Sequence, residues 1–293
     1  MTFRPTRMTR LLLVSALMFC LAAAAPAAPD RLVMPGVIST AAAEVRIAYR
    51  SDGRQIVWGA IGRAGAADQQ DIWEMHRAGN GWSRPARVSF DSDAVEFDPA
   101  FSPDGRSLYF DSDRPGGLGG TDIYVADVDP ATNRFSPPRN LGASANSRGD
   151  EWAPTPMANG KLIFASDGWG GLGRHDLFET SLGRPSAPPR NLGPNVNGPQ
   201  EDFDPALTPD GSTLIFSSGT MDDQVTHVTL FIAHRTAAGW GHAAPLDRGC
   251  SDFVIGASIS PRRPRMLNYA AKCDGGRGRM DIRETSLPGG KSR

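Results

Sequence analysis

Short runs of apolar and aromatic residues, Leu108-Tyr109-Phe110 and Ile123-Tyr124-Val125 among them, alternate along the chain with stretches of Gly, Pro, Asp and Ser. Runs rich in aromatic and β-branched residues, bounded by turn formers, predict short strands rather than helices. The Pro-Asp-Gly triplets at 103–105 and 209–211 predict hairpin turns, because Asp and Gly tolerate positive φ. Their aspartates are therefore read as turn residues without further function.

The pattern repeats. Phe97 to Phe110 reads FDPAFSPDGRSLYF and Phe203 to Phe216 reads FDPALTPDGSTLIF, with nine of fourteen positions identical. A third copy, Trp152 to Phe164, is one residue shorter after its glycine. Aligned turn glycines fall at Gly53, Gly105, Gly160 and Gly211, spaced by 52, 55 and 51 residues. A second marker follows each, as in Asp71-Ile72-Trp73, Asp122-Ile123-Tyr124 and Asp176-Leu177-Phe178, and it recurs in a fifth unit at Asp281-Ile282-Arg283.

Each unit predicts four strands. A lone four-stranded sheet cannot bury both faces, so a period near fifty residues implies stacking around an axis, an all-β propeller. Residues 45–293 hold just under five periods, which predicts five blades. The missing outer strand of the last blade is expected from Leu32 to Ile38, within the N-terminal segment 28–44, closing the ring non-covalently. Six blades would require roughly fifty more residues or a very irregular segment 28–45.

Gly and Pro together form roughly a fifth of the 293 residues, about twice the usual share. With 40% hydrophobic and 22% charged residues the chain carries enough apolar material for a core. Arg4, Arg7 and Arg10 precede an apolar stretch from Leu11 to Ala25 and the small-residue sequence Ala25-Pro26-Ala27, so residues 1–27 read as a secretory signal peptide. Its removal leaves 28 Lys+Arg against 32 Asp+Glu and no transmembrane span, which excludes nucleic acid as an expected partner. A periplasmic or secreted monomer is expected, with Cys250 and Cys273 in a disulfide that braces the closing blade.

The block Asp-Pro-x-x-Ser-Pro-Asp-Gly, followed by Ser112-Asp113-Arg114-Pro115-Gly116-Gly117-Leu118-Gly119-Gly120-Thr121-Asp122-Ile123-Tyr124, resembles the TolB-like propeller repeats of bacterial envelope proteins. The resemblance is closest over residues 96–218. It implies an exported propeller acting mainly by binding other proteins. Met157-Ala158-Asn159-Gly160 and Ser260-Pro261-Arg262-Arg263 depart from the repeat's turn.

An up-and-down blade places its first-to-second and third-to-fourth turns on one face and its longer loops on the other, where binding usually resides. Nine residues before each turn glycine stand Glu44, Glu96, Glu151 and Asp202. Symmetry predicts that they gather at the mouth of the central channel on the loop-rich face. Such a ring requires solvation, Arg partners or a cation such as Ca²⁺; the alternative is that each acid caps its own loop. Trp169, with Arg114 and Arg174, forms a second candidate for binding a partner. The five histidines show no recognised metal motif, so no metal site is expected from sequence.

The expected function is therefore a non-catalytic propeller that binds an envelope protein through its loop-rich acidic face, with no cofactor of its own. The alternative is a glycoside hydrolase or lyase using channel-mouth carboxylates. Against it, repeat-related acids share similar surroundings, whereas acid-base catalysis needs carboxyls in unlike ones.

Overall fold

The computed structural model describes residues 30–63, 68–183, 187–221, 226–246 and 251–288. The signal peptide at 1–27 and Cys250 lie outside the described residues.

Five antiparallel sheets follow one another along the chain. Blade 1 comprises Ala43–Tyr49, Gln55–Ile61 and Gln70–Ala78, with Gly81–Trp82 and Ala86–Arg87 both paired to the third strand. Blade 2 comprises Glu96–Phe101, Ser107–Ser112, Asp122–Asp127 and Arg139–Asn140; blade 3 comprises Glu151–Pro156, Lys161–Ser166, Asp176–Ser181 and Arg190–Asn191. Blade 4 is the longest, with Glu201–Leu207, Thr213–Met221, Thr226–Thr236, Gly239–Trp240 and Ala244–Pro245. Blade 5 takes Val254–Ile259, Met266–Ala271 and Asp281–Ser286 from the C-terminal end and Arg31–Leu32 from the N-terminal end.

That last pairing closes the ring. Arg31 lies opposite Glu284 and Leu32 opposite Arg283, and the Arg31 guanidinium donates to Glu284 Oε1 at 2.7 and 2.9 Å. The closing strand ends earlier than the sequence suggested. Beyond Val33 the chain turns, and Ile38 packs into the core between blades 1 and 5.

The first strands of successive blades are neighbours all the way round, blade 5 against blade 1 included. The apolar residues follow suit. Val57 and Ile72 of blade 1 meet Leu108 and Phe110 of blade 2, Ile163 and Leu177 meet Leu214 and Phe216, and Ile215 and Leu230 meet Leu267 and Tyr269. Among the described residues five inter-blade cores, with a small sixth cluster of Val45, Phe97 and Ala270 joining blades 5, 1 and 2, therefore replace one central core. This is the physical meaning of the repeat: an apolar sheet face is buried only by its neighbour.

Every first strand also carries a β-bulge. The pairing slips between Val45 and Ile47, Phe97 and Ala100, Trp152 and Thr155, Phe203 and Ala206, and Ile255 and Ser258. An extra residue bends a strand and re-aims a side chain. Here it does so five times around one axis.

Candidate functional site

The repeated acids are buried, and each is engaged by its own loop. Glu44 accepts the amide of Thr40 at 3.0 Å and the Thr40 hydroxyl, and lies 3.5 Å from Arg63 Nη1. Glu96 accepts the amide and hydroxyl of Ser92 and is held by Arg114 Nη2 at 2.8 Å. Glu151 accepts the amide of Ser147 at 2.8 Å and the hydroxyls of Ser147 and Ser166 at 2.5 and 2.7 Å. Asp202 accepts the amide of Gly198 at 2.6 Å and the Ser218 hydroxyl. Each acceptor reaches back four residues to the preceding loop, so these carboxyls fix the entry of the chain into each inner strand. Burial pushes all four above the usual carboxylate range, Asp202 to about 6.

The residues of the second candidate set each have partners of their own. The Arg114 guanidinium lies over Phe90, Phe110 and Tyr124 while bonding to Glu96. Trp169 is half-buried, its indole N–H donating to the Ala145 carbonyl at 3.0 Å. Arg174 reaches solvent, 3.8 Å from Glu201 Oε1.

A different set converges on the axis. Two residues beyond the acidic position stand Arg46, Asp98, Ala153, Asp204 and Gly256, all at the bulge and all with φ between 42° and 64°. Arg46 Nη2 donates to the carbonyls of Pro154 and Pro205 at 3.2 and 3.1 Å and to Thr155 Oγ1 at 2.8 Å, tying blade 1 to blades 3 and 4. The carboxyls of Asp98 and Asp204 are hydrogen-bonded to each other. Asp204 also accepts the Gly256 amide at 2.7 Å, and Asp111 accepts the Ala153 amide at 3.1 Å. Thus the two bulges without a polar side chain have their amides satisfied by carboxyls from elsewhere.

Burial raises Asp98, Asp111 and Asp204, with Asp111 brought to about 7 and Asp98 raised further by its neighbouring carboxyls. One guanidinium faces three carboxyls, and a proton shared between Asp98 and Asp204 relieves the excess negative charge. Arg46 Nε and Nη1 and Asp98 Oδ1 have no hydrogen-bond partner in the protein.

Of this cluster, Arg46 and Thr155 line a cavity of about 350 Å³. The walls are the second halves of the inner strands, including Tyr49, Phe101, Met157, Leu207 and Ile259, and the rim is formed by Pro103, Pro209 and Pro261. The cavity opens among the tight first-to-second-strand turns. The concave, largely apolar surface therefore lies on the face opposite the longer loops. The sequence offered Arg46 only as a partner for the repeated acids and left Asp98, Asp111 and Asp204 unremarked, although a second charge two residues beyond the acid at 46, 98 and 204 was a visible signal.

No family model and no curated protein matches the sequence. Solved structures do match. TolB from Acinetobacter baumannii is similar at 17% identity with a TM-score of 0.51, over 85% of this chain and 55% of that one. A protein of unknown function from Dyadobacter fermentans aligns at 12% identity and TM-score 0.49, over 89% of this chain and 99% of that one. A putative TolB from Agrobacterium tumefaciens aligns at 13% and 0.43, over 85% and 91%.

The fold is that of a β-propeller, here with five blades. Its similarity to the TolB-like propellers is a likeness of fold, and the chain spans about half the length of the first of these structures.

Proposed function

We propose that this chain is an exported, non-catalytic binding propeller that receives an apolar segment of an envelope protein in the central funnel. The observation that carries the reading is the cavity of about 350 Å³, walled by apolar side chains and ending on a buried arginine. A pocket of this kind suits a short apolar stretch whose carbonyl or carboxylate oxygen faces the Arg46 end of the cavity. The funnel replaces the loop-rich face as the favoured surface, because the acids expected to line that face are occupied by their own loops.

The carbohydrate-active alternative has less support. Its two carboxyls need a separation of roughly 5–9.5 Å on either side of a sugar, whereas Asp98 and Asp204 bond to each other. Export rests on reading residues 1–27 as a leader, and a Cys250–Cys273 disulfide is part of the same proposal, Cys273 being half-buried just after the second strand of blade 5. No helix among the described residues is long and apolar enough to cross a membrane.

A fluorescence-anisotropy screen of apolar peptides drawn from envelope proteins tests the reading, with Met157→Glu and Leu207→Glu as wall variants. Binding by wild type that both variants abolish, at unchanged circular dichroism, is expected. Protection from hydrogen exchange that maps to the loops at 113–121 and 167–175 instead of the funnel would reject it.

A further inference from the structure

The repeat supplies an internal control for the loop-rich face. In blade 2, Asp113 follows the second strand and accepts the Val95 amide at 2.8 Å; in blade 3 its counterpart Asp167 accepts the Asp150 amide at 2.8 Å. Asp167 thus has a turn role that the repeat explains. Two neighbours are not explained in that way. Blade 3 has Asp150 where blade 2 has Val95, and His175 where blade 2 has Thr121, the residue before the third strand. Those two differences bring ligand atoms of Asp150, Asp167 and His175 within 4.8 Å of one another.

The histidine gives the cluster its direction. His175 is fully buried, its Nδ1 lies 2.9 Å from Glu201 Oε2, and the Trp152 ring stacks on it with centroids 3.7 Å apart. Its Nε2 is buried and has no hydrogen-bond partner. A carboxylate on Nδ1–H fixes the neutral tautomer that carries its lone pair on Nε2. A buried imidazole with one unpartnered ring nitrogen therefore joins two carboxylates in one cluster, and among the described residues no ion pair links a Lys or Arg to either aspartate.

The contrast with blade 1 is informative. Asp71, Asp91 and Glu96 also bring three ligand atoms together, but Arg87 bridges the two aspartates at 3.1 Å each and Arg114 holds Glu96. There the chain supplies its own cation.

We propose that Asp150, Asp167 and His175 bind a first-row divalent transition ion of the Zn²⁺ class, with Glu201 as the positioning residue for the imidazole. One nitrogen and two carboxylate donors suit such an ion in tetrahedral coordination, and the imidazole disfavours Ca²⁺ and Mg²⁺, which take oxygen ligands. Three protein ligands leave a fourth position for water or a group from outside. The ion would join the loop entering blade 3, the loop between its second and third strands and, through Glu201, blade 4.

The test uses the purified mature chain, stripped with a chelator and dialysed, then titrated with ZnCl₂ by calorimetry and with CoCl₂ by visible absorption and tryptophan fluorescence. One equivalent of Zn²⁺, tetrahedral Co²⁺ bands and quenching through Trp152 are expected, with a rise in Tm on adding Zn²⁺. Asp150→Asn keeps the acceptor for the Thr121 amide, so it tests the site with little risk to folding; it and His175→Gln should abolish stoichiometric binding. Glu201→Gln should weaken affinity by about 10–100-fold, and Asp71→Asn should leave it unchanged. Absence of saturable binding up to millimolar Zn²⁺, or binding that Asp150→Asn and His175→Gln both leave intact, would overturn the assignment. An octahedral Co²⁺ spectrum would do the same.

Discussion

Glu44, Glu96, Glu151 and Asp202 stand at one position in four blades and do the same thing in each, accepting hydrogen bonds from the loop four residues back. Two residues further along, Arg46, Asp98, Ala153, Asp204 and Gly256 stand at one position in five blades and do different things. The first set repeats. Like charges related by a rotation axis cannot pair with one another, so each must be satisfied within its own unit. The second set has diverged, and only there does one blade supply a guanidinium, two others carboxyls and a further two small residues, Gly256 packing closely against Val45 and Arg46. In a ring of repeats, equivalence marks what the fold requires, and difference marks where chemistry between blades becomes available. The Asp150–Asp167–His175 cluster follows the same rule, because it arises where blade 3 departs from blade 2.

The strongest way to break this comparison is Arg46→Met. Leaving three buried carboxyls without their cation should cost about 3–5 kcal/mol, read as a drop in the urea midpoint at unchanged slope. A loss below about 1 kcal/mol, within the range of an exposed ion pair, would show that the axial cluster is not held by charge.

Next come the caps. Glu151→Ala strands the Ser147 amide and two hydroxyls, and should cost about 1–3 kcal/mol. Glu96→Ala should fall in the same range, because the position does the same work in blade 2. A large difference between them in chemical denaturation would break the equivalence claimed for this set.

Acidity sharpens the contrast. Asp111 is raised to about 7 and Asp202 to about 6, so the folded chain binds protons that the unfolded chain, with aspartate near 4, has released. Stability should therefore rise as pH falls from 7 towards about 4, by up to about 5 kcal/mol if both groups act in full. Asp111→Asn should flatten that slope. Asp104 and Asp210 are lowered by turn hydrogen bonds and lose their contribution only as pH falls below about 4, so they leave this window unaffected. A slope of opposite sign in calorimetric Tm between pH 5 and 7 would contradict the assignment.

The smallest effect is expected at the tight turns. Gly211 has φ +67° and open space where a Cβ would lie, so Gly211→Ala should cost only the backbone term, about 1 kcal/mol. Gly105 has φ +71°, and an added Cβ would meet Ser51 Oγ at 2.8 Å, so Gly105→Ala should cost more in the same thermal melt.

Much of the architecture was legible because it is periodic. Turn glycines, the Asp-Ile-Tyr marker and alternating apolar runs each report a local backbone geometry, and repetition averages out the ambiguity of any single copy. The closing strand was legible from arithmetic alone, although its extent was not, because Ile38 is drawn into the core between blades 5 and 1. Whether Arg114 and Trp169 are exposed anchors or parts of loops folded over their own blades was open in sequence. Their aromatic neighbours and backbone acceptor come from residues up to 24 positions away, and those partners hold them against their blades.

The fifty-residue period by itself determined that the chain is a ring of four-stranded sheets, because no single unit can bury its own faces. Only the tertiary structure decided which side chains point to the axis. A one-residue bulge reverses the alternation of a strand, so Arg46 meets Thr155 and Pro205, 109 and 159 residues away. Contacts across the axis of this kind depend on the closure of the ring, and no local pattern of residues encodes them.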